Sequence, residues 1–191
     1  MAVPLPTTTL DAVNTILAGI GEAPVSSLVS DNQDVSNALR KLDEAQREIT
    51  GRGLWFNTEC FTLTPIAGEY NLAPNVYTAK PIRWDKRQFV QRGRRLYDLA
   101  NNRFNGNTED LDVEMIIGLE LEDLPEEARQ AILYQAVRKF SDSVIGSVQL
   151  HQITASDELA SRAALMSRHL EEVRYSSFDA PTPARTAWRW R

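Results

Sequence analysis

Apolar residues recur every three or four positions over four stretches of this chain, and each recurrence predicts a helix with one buried face. In the first, Leu10, Val13, Ile16, Leu17 and Ile20 share a face. Thr7, Thr8 or Thr9 can cap it, and Gly21 breaks it before Pro24 and Val25 form an extended turn. Residues 25–30 connect to a second helix that Asp31 or Asp34 can cap and that runs to about Thr50. Its apolar positions, Val35, Ala38, Leu39, Leu42, Ala45 and Ile49, form a narrow stripe whose alanines allow close approach of another helix. Arg40, Lys41, Asp43, Glu44, Arg47 and Glu48 cover the opposite face. Asp123 can cap a third helix, with Pro125 in its first turn and Glu126 and Glu127 at the positive end of its dipole. Ala128, Ile132, Leu133, Ala136, Val137, Phe140, Val144 and Ile145 give it a broad apolar face, and Gly146 closes or bends it. The fourth helix is expected from near Thr154 or Ser156 to Tyr175, with Leu159, Ala163, Leu165, Met166, Leu170 and Val173 as its apolar positions.

Between the second and third helices the period changes. Thr62, Leu63 and Thr64 alternate as a strand does, ended by Pro65. Residues 88–91 and 95–98 flank Arg92-Gly93-Arg94, a β-hairpin turn, and residues 113–117 read as another strand. Asn101, Asn102, Asn105, Gly106 and Asn107 mark a loop. The expected fold class is therefore α+β: a four-helix bundle base with an inserted small β-rich domain and an extended C-terminal tail. In residues, the base is 1–57 and 123–176, the insertion 58–122 and the tail 177–191. Pro181 and Pro183 forbid a long helix in the tail, which ends Trp188-Arg189-Trp190-Arg191. Trp and Arg are favoured interface anchors, so the tail either meets a partner, folds back on its own bundle or stays disordered.

A chain of 191 residues holds one substantial core, or a core with a satellite. No apolar run reaches the length of a membrane span, and the first ten residues lack the basic and apolar regions of a secretory signal. Cys60 is the single cysteine, which excludes an intrachain disulfide and is expected as a small buried hydrophobe. Net charge is −5, unevenly spread. Lys80, Arg83, Lys86, Arg87, Arg92, Arg94 and Arg95 face only Asp85 in one segment, while residues 109–127 hold nine acids, Asp110, Asp112 and Glu114 among them, and no base. One patch of each sign suits interlocking subunits or partner surfaces, or else a solvated basic hairpin beside acidic loops.

The chemistry-bearing residues are few. His151, placed in a linker, and His169 have no second ligand at metal spacing, and no phosphate loop or nucleophile elbow is present, so no cofactor or metal is expected. A polysaccharide- or cell-wall-cleaving enzyme would need two facing carboxylates, for which Glu114, Glu120 and Glu122 are the candidates. A DNA-binding module would use the basic stretch with Trp84 and Phe89, above all Arg92, Arg94 and Arg95, against the acidic balance of the whole chain.

Three segments carry a more specific pattern. The first reads VN-x-ILA-x-IGE-x-PV-x-x-L, as Val13-Asn14, Ile16-Leu17-Ala18, Ile20-Gly21-Glu22, Pro24-Val25 and Leu28. The second is Gly53-Leu54-Trp55-Phe56-Asn57, with Leu54 as an extra residue before the Trp. The third runs from Leu124 to Ser147, a Pro-Glu helix start with an aromatic near its end and a Gly-Ser after it. Together they resemble the tail tubular protein A family of short-tailed, T7-like bacteriophages over residues 10–175. The resemblance implies a structural virion protein at the head–tail junction, made in the host cytoplasm and assembled, not turning over substrate. It implies a dodecameric ring between portal and tail nozzle, a central channel that passes DNA without specific binding, a platform for tail fibres and no membrane partner. On that reading Arg83, Lys86, Arg87, Arg92, Arg94, Arg95, Asp110, Asp112 and Glu114 are candidates for contacts between subunits or partners, as is the charged face of the second helix. Trp188, Arg189, Trp190 and Arg191 are candidates for portal docking.

Overall fold

A computed structural model describes residues 6–29, 32–82 and 87–178, with side chains as far as Val173. It is an α+β protein with the element order α1 (Thr9–Ala18), α2 (Gln33–Thr50), β1 (Thr58–Leu63), β2 (Val76–Pro81), β3 (Phe89–Arg92), β4 (Arg95–Asp98), β5 (Leu111–Ile117), α3 (Glu126–Val144) and α4 (Val148–Phe178). The chain divides into two compact units, one formed by the residues up to Ala45 and from Pro125 onward, the other by Gln46–Leu124.

The first unit is helical. Thr8 caps α1 in a reciprocal box: its hydroxyl accepts from the Asp11 N–H, and the Asp11 carboxylate accepts from the Thr8 N–H. Ala12, Val13, Ile16 and Leu17 are buried, and Gly19 lies so close to α3 that a Cβ there would stand 3.3 Å from Val137 Cγ1. Thr7 serves α3 instead, its N–H and hydroxyl both donating to the Glu126 carboxylate. Asp123 does not cap α3; it lies in a 3₁₀ turn (Leu121–Asp123), and Pro125 holds the N-cap position without a side-chain bond. At α2 the capping acceptor is Asn32, whose Oδ1 takes the Asp34 N–H at 2.8 Å; Asp31 lies outside the described residues. Val35, Ala38, Leu42 and Ala45 of α2 are buried, as are Ala128, Ala131, Ile132, Leu133, Ala136, Val137 and Phe140 of α3. Val144 and Ile145, expected on the buried face of α3, are exposed where that helix ends.

Helix α4 departs most from expectation. It starts at Val148, just past Gly146 at φ +64°, so His151 lies inside the helix and not in a linker. Of its predicted apolar positions only Leu165 is buried; Leu159, Ala163, Met166, Leu170 and Val173 are exposed. The side turned to α3 instead buries Thr154 and Glu158.

In the second unit β5 is the centre of a three-stranded antiparallel sheet, order β1-β5-β2. Its alternation is clean: Leu111, Val113 and Met115 are buried, while Asp112 is exposed and Glu114 partly so. β3 and β4 form the expected hairpin, with Gly93 at φ +64° in its turn. Strand β2 was not apparent from the sequence, because only Ala79 of its six residues is buried and Pro81 ends it. Leu63, Tyr70, Leu72, Ala79, Leu96, Leu111, Val113 and Met115 make the core. Cys60, expected as a buried hydrophobe, is exposed on the outer face of β1.

Candidate functional site

In two of the three family-like segments an asparagine clamps the backbone. In the first unit, Asn14 reaches across the Gly21 turn to Val25: its Nδ2 donates to the Val25 carbonyl at 3.0 Å and its Oδ1 accepts the Val25 N–H at 2.8 Å. A side-chain amide supplies one donor and one acceptor at that spacing, so it reproduces a two-bond ladder rung. In the second unit, Asn57 is fully buried, accepts the Leu54 N–H at 2.8 Å, and donates to the carbonyls of Thr50 and Ile117, both at 2.9 Å. It thereby ties the end of α2, the Gly53 turn and β5. Gly53 has φ +78°, and a Cβ there would meet Ile116 Cδ1 at 2.8 Å, so both conformation and space call for glycine.

The charged residues assort differently from their order in sequence. Lys80 and Glu114 are direct cross-strand partners in the β2–β5 register, with Nζ 2.8 Å from the carboxylate. Arg87 reaches the Glu109 carboxylate at 3.5 Å and the Asp110 carbonyl at 2.9 Å. Asp112 accepts from the Thr62 hydroxyl at 2.6 Å. Part of the basic segment thus meets the acidic segment within one chain. Arg83, Lys86 and Trp84 lie outside the described residues, as do Trp188, Arg189, Trp190 and Arg191.

Arg92, Arg94 and Arg95 gather at the hairpin. The Arg92 guanidinium lies 3.7 Å from the centre of the Tyr97 ring, and that of Arg95 lies 4.3 Å from the Phe104 ring. The two rings meet edge to face at 4.9 Å. Arg95 also bonds both oxygens of Glu69. This guanidinium–aromatic ladder presents planar donors on rigid supports, suited to carboxylates or phosphates. Tyr97 and Phe104 are the members that a reading of charge alone passes over; Tyr97 lies on the hairpin strand itself, whereas Phe104 meets Arg95 from the loop beyond β4.

An open cleft of about 650 Å³ in the second unit is lined by Tyr70, Arg87, Phe89, Asp98, Asn101 and Arg103, among others. Its buried carboxylate, Asp98, accepts from the Asn101 side chain and from the N–H groups of Ala100 and Asn101, and these bonds, the Asn101 side chain foremost, hold its pKa below the ordinary range. A carboxylate so committed supports the loop and is a poor proton donor near neutrality. His151 bonds Asp142 at 2.9 Å. Among the described residues no group of His, Cys, Asp and Glu is placed to hold a metal ion, and no helix is long and apolar enough to cross a membrane.

Comparison with known proteins gives these clamps and surfaces a context. The profile of the tail tubular protein family matches residues 10–175. Tail tubular protein A of Klebsiella phage KP34 is 25% identical over 171 residues, covering 88% of this chain and 90% of that protein. The class is that of structural proteins of the bacteriophage tail. Within it, the chain belongs to the tail tubular protein family.

Proposed function

We propose that this chain is a head-to-tail adaptor: copies close into a dodecameric ring between the portal and the tail nozzle, around a channel for DNA, with tail fibres attached at the rim. The observation that carries this reading is the family match across residues 10–175, which includes both asparagine clamps. A cyclic ring needs two unlike surfaces on each copy. The hairpin arginines Arg92, Arg94 and Arg95 supply a basic one, and Asp110, Asp112 and Glu114 with the charged face of α2 supply acidic groups. Arg87 already bonds the chain's own acidic segment, and Arg83 and Lys86 belong to the same basic stretch. Net charge of −5 favours a wall that does not grip phosphate, so DNA slides through without specific binding. Trp188, Arg189, Trp190 and Arg191 are assigned to the portal. The mechanism is assembly and conduction at the head–tail junction of the virion after synthesis in the host cytoplasm; no turnover is involved.

Light scattering on the purified protein, alone and mixed with the cognate portal, tests the reading. The expected result is a large ring–portal complex, which deletion of residues 177–191 weakens. A chain that remains monomeric beside the portal refutes it.

A further inference from the structure

Helix α4 buries two polar side chains, Thr154 and Glu158, and leaves a row of apolar ones exposed. Glu158 is buried against α3, where Arg138 and Arg162 both bond its carboxylate, and Thr154 beside it returns its hydroxyl to the Leu150 carbonyl. Val148, Leu159, Ala163, Met166, Leu170 and Val173, in contrast, are exposed, Val148 at 73% and Leu159 at 71%. At about 100° per residue these six fall on one side of the helix, about 120° round from Thr154, Glu158 and Leu165. From Leu159 onward they are spaced four, three, four and three residues apart, the seam by which one helix packs on another. The stripe is about 37 Å long from Val148 to Val173.

We infer that this stripe is covered by a second copy of the chain; the inference rests on the adaptor reading and specifies one of its contacts. The same helical unit leaves a second apolar corner exposed, Val144 and Ile145 at the end of α3, and also Ile153 on a different side of α4. Two unlike patches on one unit are what a heterologous contact requires: the stripe of one copy meets the corner of the next. Side chains of these sizes and exposures offer on the order of 800 Å² of apolar surface in total, close to the apolar share of a standard interface. Among the described side chains the charge beside the stripe is Arg162, and it already bonds Glu158 at 3.1 Å, so closing the contact strands no lone charge there. That balance is also unlike the basic polar face of a membrane-surface helix.

The test is sedimentation of the full chain over a wide concentration range, with Leu159→Glu/Leu170→Glu and Leu159→Ala/Leu170→Ala as variants and Val29→Glu as a charge control on an exposed loop. The wild type and the control should self-associate. The double Glu variant should stay monomeric with unchanged helical content, and the double Ala variant should associate about tenfold or more weakly. A double Glu variant that assembles like the wild type overturns the inference and leaves the adaptor reading standing. A wild type that stays monomeric beside the portal as well as alone removes both; if it assembles only beside the portal, the variants are compared there, and a double Glu variant that joins the portal complex like the wild type overturns the inference. Labelling of Met166→Cys in a Cys60→Ser background completes the test. Fast maleimide labelling in dilute monomer, slowed on association, is expected; slow labelling that deletion of residues 179–191 relieves would assign the stripe to the chain's own tail and overturn the proposal.

Discussion

Asn57→Ala should be among the most damaging small substitutions in the second unit. The side chain is fully buried and makes three hydrogen bonds. Its removal leaves the Leu54 N–H without that acceptor, at a cost of about 1–3 kcal/mol for a buried donor. The Thr50 carbonyl suffers less, because it still accepts from the Gly53 N–H at 3.1 Å. Adding the Ile117 carbonyl and the small void, the loss comes to about 3 kcal/mol, a large share of the stability of an ordinary domain. Asn57→Asp separates the roles. It keeps the acceptor for Leu54 but turns a carboxylate toward two carbonyls, which raises its folded-state pKa. The protonated form donates one of the lost bonds, so this variant should lie nearest the wild type at acid pH and fall away as pH rises through the raised pKa. Urea unfolding gives the free energies, and hydrogen exchange of the Leu54 amide reports the local opening. An Ala variant within about 1 kcal/mol of the wild type, or an Asp variant whose deficit shrinks as pH rises, would refute the clamp.

Other consequences follow from the same geometry. Asn14→Ala, which frees both backbone groups of Val25, should cost about 1–2 kcal/mol in urea unfolding and speed exchange of the Val25 amide. The Glu44 carboxyl is held at about 2, below its ordinary 4.5, first by its bond to Lys139 and then by Lys41. A depressed pKa stabilises the fold fully above the unfolded value and is lost as pH falls from about 4.5 to 2. The side chain is 43% exposed, so solvent screening limits the gain to less than about 1 kcal/mol, and Glu44→Gln should flatten that part of the acid-unfolding curve. Arg138→Met leaves the buried Glu158 with Arg162 alone and should cost about 2 kcal/mol by thermal unfolding, while Arg138→Met/Glu158→Leu should recover most of it.

The sequence was legible where a local rule decides the outcome. Thr8 and Asp11 cap α1 through bonds confined to four residues, and Gly93 makes a hairpin turn through its own backbone. β5 alternates because it is paired on both edges and buried on one face. What escaped depends on contacts distant in sequence. Lys80 and Glu114 read as members of opposed patches, yet strand register makes them neighbours 34 positions apart. Asp123 looked like the cap of α3, but the 3₁₀ turn takes it and Thr7, far away in the chain, serves Glu126. α4 misled most, since periodicity shows that an apolar face exists and not which surface covers it. Thr154 and Glu158 are buried because Arg138 and the helix backbone satisfy them, a pairing invisible to hydrophobic pattern. Asn14 and Asn57 stood inside quoted motifs, but their role as clamps appears only when the partners Val25 and Ile117 are placed.

The adaptor account is tested most directly by the stoichiometry of the chain in purified infectious particles, measured by quantitative mass spectrometry against the portal subunit. The account predicts a fixed ratio near one copy per portal subunit, with both proteins released together when heads are detached from tails. Absence from the particle, or a ratio that varies between preparations, would contradict it.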